Sequence, residues 1–589
     1  MIKLFFFIVG VTVNTDAFST PPRTTAVLRG DHQRIKPQLK ATTAESSSKS
    51  SSTSSSSSSP FADFRYEKRW YPVIWARDLV ENEPTKVTLF DVDYVVARTS
   101  DTEVMALEDR CPHKAAALSE GRITASGNFQ CAYHGWSFDG TSGQCQDIPQ
   151  IAQADKSPPF PSRSCAKAVP AQIHQEMVYL FHGTAEEALV APPPPTIPEY
   201  DELGFQMSCS IREMPVDWPI VVSNICDAEH GAFAHQAKAF DMYAASKEHP
   251  LQVTQTFPNH GWVVHTKVDA SDKLLAVDRQ RRAQDKESQK DSTDAVSIIQ
   301  EVVTSSNAPD KSKEKKESPW ATTRFEAPFH LQMRRLDKQT NSTNFVSAFY
   351  ISPTGVGRCR FLAAGLSKKA PPRWLTKLML DNFLDQDTYL LATQQHHILG
   401  SEAKDLRDMM KKRKDKDPLE MQAMPTRRKL FCLSTPTDAF GAKLEQFWDA
   451  TLLRSPNRIA NLMKLDSAGA FMETPKRAIV LDRKTQHLDI CPDSQDAARN
   501  AKRVHKAGLF FAIATVCSKL MLRSVATEIP FAGKLDALLK PSWVIAKTGL
   551  WLLVSFLAHK MYKEYFFKYS EEYRRKDMNK IPKNIWKDV

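Results

Sequence analysis

Hydrophobic residues in this chain follow two rhythms, and the change between them is the first sign of its organisation. From Arg69 onward, apolar runs of strand length at 71–75, 87–90, 94–97 and 104–107 are punctuated by Asp and Ser, which predicts a small all-β unit. Turn formers cluster at Asp139-Gly140-Thr141-Ser142-Gly143, the signature of a hairpin. A proline-rich stretch at 191–198 reads as a stiff connector. Beyond it, residues 205–470 mix strand-like runs at 261–268 and 344–351 with helical periodicity at 374–395 and 441–450. Within that region, residues 270–318 are dense in Lys, Asp, Glu, Gln and Ser with little apolar period, and read as a surface insertion.

Near the C-terminus, two apolar stretches at 507–517 and 549–558 flank a proline-bearing connector and precede a basic, aromatic tail. Each is shorter than the ~20 residues of a spanning helix, so taken alone they read as buried or interfacial helices. Lysines can snorkel, and Trp551 and Tyr562 suit an interface, so the tail is expected to be helical and membrane-associated. The resulting plan is a presequence and Ser-rich linker over 1–60, a β unit over 61–190, a linker over 191–204, an α+β unit over 205–480 and the helical tail over 500–589.

Composition narrows the class. A chain of 589 residues with 42% hydrophobic residues can build two or three folded units. The net charge of +11 is spread along the chain, with much of the excess in the presequence, insertion and tail, which argues against a nucleic-acid partner. Ten cysteines are too sparse for a disulfide scaffold, and two lie beside histidines at short spacing, which favours metal chemistry in a reducing compartment. At the N-terminus, Lys3 and an apolar run ending near Val13 resemble a signal-peptide core. Asp16-Ala17-Phe18 follows, and then a Ser/Thr/Pro-rich, basic, acid-poor stretch to about residue 44. Signal plus transit composition resembles the bipartite presequence of a complex, secondary-type plastid; the plainer alternative is a secretory signal.

The most specific motif is Cys111-Pro112-His113, then seventeen residues, then Cys131-Ala132-Tyr133-His134-Gly135-Trp136. One thiolate and one imidazole on each of two facing loops can hold a [2Fe-2S] cluster with one iron on sulfur and one on nitrogen, a one-electron relay of raised potential. Zinc is the alternative, but its usual spacings pair Cys with Cys and His with His. The surrounding residues, with Glu108-Asp109-Arg110, Leu118-Ser119-Glu120-Gly121 and Asp147-Ile148-Pro149-Gln150, resemble the Rieske domain of the plant and algal pheophorbide a oxygenase family. Its relatives include chlorophyllide a oxygenase and a Rieske protein of the chloroplast translocon. The resemblance implies an N-terminal all-β Rieske domain, an α+β catalytic domain of helix-grip type, and the membrane-associated tail.

An electron relay needs an acceptor, and Asn224-Ile225-Cys226-Asp227-Ala228-Glu229-His230-Gly231-Ala232-Phe233-Ala234-His235 offers two imidazoles for a mononuclear Fe(II) of the two-His, one-carboxylate type. Histidines five apart do not share a face of a regular helix, so a widening or helix end is expected between them. Asp227 is placed three residues before His230, on the same face, to orient that imidazole. In the family this segment resembles, that aspartate links the cluster of one subunit to the iron of its neighbour in a homotrimer. The third ligand, by resemblance to the family's acidic segment, is Asp387 in Phe383-Leu384-Asp385-Gln386-Asp387, with Asp385 as the alternative.

The chain departs from its relatives at one place. Where they carry Cys-x-x-Cys before the tail, it reads Asp482-Arg483 and then Cys491-Pro492-Asp493-Ser494, which removes a dithiol switch and leaves Cys491 as an inert or surface thiol. The resemblance implies an oxygenase that takes electrons from reduced ferredoxin and uses O2 on a chlorophyll-derived tetrapyrrole, with macrocycle opening first and methyl oxidation second. The expected setting is a thylakoid or inner-envelope membrane of a plastid. Two rival readings are an electron-transfer or redox-sensing subunit without catalytic iron, and an oxygenase of another lipophilic substrate such as a sterol or carotenoid.

Overall fold

The computed structural model describes residues 61–567, apart from residues 62, 153–154, 157–158, 228–229, 231–251, 258–260, 268–319, 337–341, 369–372, 413–423, 436–437 and 526–539. The presequence, the charged insertion, His235 and the basic tail therefore lie outside the described residues. The larger compact unit holds Ser59–Ala507 and Phe556–Val589; the other includes Gly508–Ser555.

In the larger unit, the strand-length runs become three small antiparallel sheets. Trp70–Trp75 pairs with Met177–Phe181, which pairs with Ala171–His174; Thr85–Leu89, Val92–Arg98 and Val104–Glu108 form a meander; and four strands of two or three residues carry the loops of the Cys/His motifs. The meander's first turn uses positive φ at both Phe90 and Asp91. Asp91 suits such a turn but Phe90 does not, and tertiary bonds hold it: the Phe90 and Asp91 amides donate to Pro353 and Thr354 carbonyls, and Asn461 donates to Asp91.

The fourth sheet has seven antiparallel strands. Gln252–Phe257, Gly261–Lys267, Trp320–Glu326, His330–Leu336, Thr343–Gly355 and Arg358–Ser367 lie side by side in chain order, and Gln206–Met214 closes the far edge beside the last. Alternating apolar positions send one face of this sheet toward the core. Against it pack the helix Trp218–Cys226, the long helix Arg373–Lys412 and the helix Ala439–Thr451. Trp262, Phe325, Leu384, Phe447 and Trp448 meet in that core.

The division expected near residue 190 does not separate two cores. Phe61, Tyr71, Trp75 and Tyr179 belong to the same buried cluster as Ile211, Trp218 and Phe361, and the Trp75 indole donates to the Ser210 carbonyl at 2.9 Å. The Cys/His loops have a core of their own, built on Val95, Leu107, Leu118, Phe129 and Phe138.

Charged groups also lie inside. Arg458 is 3% exposed and its Nη2 donates to Asp217 and Glu402, each at 2.8 Å, while Arg427 Nε donates to Glu402 at 2.8 Å. Asp217 immediately precedes the Trp218–Cys226 helix, and Glu402 sits on the long helix, so the network ties one to the other.

The tail is helical as expected, and its helices are longer than the apolar runs. It forms continuous helices Pro492–Val525 and Pro541–Phe566, whose apolar windows are mostly unburied: Phe510 is 65% and Ile545 72% exposed. Helix continues through Lys519, Arg523 and Lys547, so counting only the apolar run underestimated its length. By length and composition both can cross a membrane. In the smaller unit they approach closely at Gly508, where a Cβ would meet Ser555 Cβ at 2.9 Å, and Phe511 packs on Trp551.

Replacing Arg458 with Met removes the cation that donates to both Asp217 and Glu402 and leaves Arg427 alone beside them, which should cost about 3 kcal/mol. The expected observation is a lower urea midpoint at unchanged slope; a loss under ~1 kcal/mol would show that the network is dispensable.

Candidate metal centres

The two Cys/His loops share one hydrogen-bond pattern. In the first, the Cys111 amide donates to Ala116 O and its carbonyl accepts from the Ala115 amide, both at 2.8 Å. In the second, Cys131 does the same with Trp136 O at 2.9 Å and the Gly135 amide at 3.0 Å. Each loop turns back at a residue of positive φ, Ala115 and Gly135. For Gly135 the left-handed conformation carries no Cβ penalty. Asp109 braces the first loop by accepting from the Ser119 amide and hydroxyl, each at 2.7 Å.

These turns bring the four predicted residues together. Cys111 and Cys131 are buried with their thiols in mutual contact, and the rings of His113 and His134 lie 4.5 Å apart. Burial, with the neighbouring Cys131 thiol adding to it, pushes the Cys111 thiol up to about 11. Burial, and then the charges of His113 and Lys114, hold His134 below its ordinary value, in the neutral form a metal requires. His113 Nδ1 is buried with no hydrogen-bond partner. A buried polar atom left so costs about 1–3 kcal/mol unless something binds it.

Two thiols at one end and two imidazoles at the other is a donor set for two metals. Among the described residues, which include all ten cysteines, there is no disulfide. Trp136 stacks on His113 with centroids 4.6 Å apart, and its indole donates to Gln150 Oε1, while Gln150 Nε2 donates to the His134 carbonyl at 2.8 Å. Gln150 thus joins both histidine supports.

The second set is partly described. The Trp218–Cys226 helix ends at Asp227, whose backbone is extended at φ −80 and ψ 112. This helix end lies before His230, so Asp227 does not share a helical face with that histidine; the widening or helix end expected between His230 and His235 lies outside the described residues. The Asp227 main chain acts instead. The Asp227 carbonyl accepts from His230 Nδ1 at 2.7 Å, while the carboxylate accepts from the His230 amide at 3.3 Å. A proton on Nδ1 makes Nε2 the lone-pair nitrogen. That Nε2 faces Asp387 Oδ2 at 3.6 Å, longer than a hydrogen bond and short enough for one ion to bridge. Burial would lower the His230 value, but the Asp387 carboxylate outweighs it and the net shift is upward.

Asp385, the alternative carboxylate, is turned away. It is buried between Arg212 and Arg483, accepting from Arg212 Nη2 at 2.6 Å and Arg483 Nε at 2.9 Å. Neither arginine drew attention as a functional residue in the sequence, because both lie far along the chain from Asp385. Of the two expectations for Cys491, an inert or a surface thiol, its burial excludes the second. Its sulfur lies 3.1 Å from the Ser494 hydroxyl, which in turn lies 2.9 Å from His487 Nε2.

Residues 69–163 match the Rieske [2Fe-2S] domain and residues 325–405 match the pheophorbide a oxygenase family. The chain is 36% identical over 181 residues to the chloroplastic pheophorbide a oxygenase of Oryza sativa subsp. japonica, covering 29% of this chain and 33% of that one. It is 25% identical over 354 residues to Protein TIC 55 of Pisum sativum, covering 57% and 53%. It is 32% identical over 177 residues to flavonoid 8-hydroxylase 2 of Ocimum basilicum, covering 29% and 31%. The matches thus span about a third to a half of these relatives' lengths.

Replacing Gln150 with Leu removes the bonds to the Trp136 indole and the His134 carbonyl together. Iron of the Rieske cluster should then be lost to a chelator about tenfold faster, read as bleaching of visible absorbance.

Proposed function

We infer, for a chain that is a distant relative of the Rieske oxygenases of the pheophorbide a oxygenase type, that it is itself a reductive oxygenase. Cys111, His113, Cys131 and His134 would hold the [2Fe-2S] cluster, and His230, His235 and Asp387 a mononuclear Fe(II). The observation that carries the reading is the 3.6 Å approach of His230 Nε2 and Asp387 Oδ2 from elements far apart in the chain. When bound, the cluster supplies single electrons and the lone iron supplies open positions for dioxygen.

The chain's own residues do the positioning. The Asp227 carbonyl keeps the His230 proton on Nδ1, so Nε2 is directed at the metal position. Asp387, 5% exposed, provides fixed negative charge where little water competes for a cation. The Asp227 residue is exposed and His134 is part-exposed, as groups facing a second copy of the chain would have to be. This supports a homotrimer in which Asp227 of one subunit approaches the cluster of the next.

The substrate in this reading is a chlorophyll-derived tetrapyrrole, supported by the match of residues 325–405 and by the rice relative. Ring opening as in pheophorbide a oxygenase comes first and methyl oxidation as in chlorophyllide a oxygenase second. Reduced ferredoxin is the donor and O2 the co-substrate. Chloroplastic relatives and two apolar C-terminal helices support a plastid membrane location. The flavonoid hydroxylase relative makes a smaller phenolic substrate the second reading.

Anaerobically purified protein should contain about three irons per chain, and Asp387→Ala about two with the visible Rieske spectrum intact. Two irons in the unmodified protein would favour a pure electron carrier. With ferredoxin, its reductase and O2, mass analysis should show oxygen incorporated into pheophorbide or chlorophyllide; incorporation only into a flavonoid would overturn the tetrapyrrole assignment.

A further inference from the structure

The long helix carries Asp385 and Asp387 two residues apart. At about 100° per residue they project roughly 200° apart, on opposite sides of the helix axis. Whatever holds Asp385 therefore sets the direction in which Asp387 points. Asp385 is held from two elements distant from each other in the chain. Arg212, on the edge strand Gln206–Met214, donates to Oδ1 at 2.6 Å, and Arg483 donates to Oδ2 from Nε at 2.9 Å and from Nη2 at 2.5 Å. Gln486, one turn after Arg483, accepts from Arg212 at 2.9 Å and donates to the Val480 carbonyl at 2.5 Å. Arg212, Asp385, Arg483 and Gln486 are each at most 5% exposed.

A second tie lies beyond Asp387 on the same helix. Gln395 accepts from the Asp217 amide at 2.5 Å and donates to the Pro215 carbonyl at 3.4 Å, which joins the helix to the start of the segment that ends in Asp227 and His230. The helix is thus pinned on both sides of Asp387. The geometry makes this consequential. A side-chain tip about 5–6 Å from the axis swings roughly 2 Å for a 20° rotation of the helix. Metal ligation tolerates about ±0.2 Å, so a helix free to rotate would not hold a ligand set.

We propose that Arg212 and Arg483 are positioning residues for the mononuclear iron: through Asp385 they fix the rotation of the long helix so that Asp387 faces His230. This rests on the reading of His230, His235 and Asp387 as iron ligands. It makes the segment that leads into the C-terminal helices a part of the metal site, although it lies well outside residues 325–405.

The test is Arg483→Lys in the full chain, which keeps the charge beside Asp385 and removes the two-nitrogen fork. Positioning predicts that Fe(II) affinity, measured by anaerobic titration and by the electron paramagnetic signal of the ferrous nitrosyl, falls about 10–100-fold while the Rieske spectrum is unchanged. A lower unfolding midpoint with unchanged Fe(II) affinity would overturn the proposal. Arg212→Lys and Asp385→Asn, which preserve charge and shape respectively, give the same readouts should Arg483→Lys not accumulate as folded protein. Unmodified protein that binds no iron beyond its cluster would overturn instead the reading of the mononuclear site.

Discussion

A carboxylate inside a protein demands a cation, and the long helix Arg373–Lys412 buries several. Asp385 turns to Arg212 and Arg483 at the sheet edge, Glu402 turns to Arg427 and Arg458, and Asp387 turns to the His230 imidazole. Breaking such a buried pair is costly, so each contact admits little rotation of the helix. The sheet, the helix ending in Cys226 and the C-terminal segment are all registered against this one element. The apolar core supplies the bulk of the stabilisation, but it is the directional ion pairs that decide which face of the helix points where.

The Rieske region solves a different problem with a different device. Its Cys111, His113, Cys131 and His134 lie on loops, and loops hold geometry only when their backbone bonds are closed and their side chains braced. Here both loops repeat the same two main-chain bonds around their cysteine, and Asp109, Trp136 and Gln150 brace them from outside. The remainder of the β unit is absorbed into the shared core, so the small loop-bearing sheet sits on a foundation continuous with the α+β part.

The local features were legible because their causes are local. Strand runs at 71–75 and 94–97, the hairpin at 139–143, the helix at 441–450 and the Cys-x-His and Cys-x-x-His loops depend on periodicity, turn chemistry and spacing within a few residues. The break at Asp227 was not legible, because it is set by how the Trp218–Cys226 helix packs and where its last amide bonds.

The amino-acid order by itself determined which groups are available: two thiols and two imidazoles in a two-loop pattern, a second pair of histidines, an acidic segment on a helix, and two apolar tails. Only the tertiary structure decided how they are used. Asp385 and Asp387 are equivalent by composition and neighbourhood, and they part company because Arg212 and Arg483, brought from either side of the chain, claim one face of the helix. The same holds for the merged core across residue 190 and for the burial of Cys491. Each depends on which distant side chain arrives, and that is a property of packing that no local pattern contains.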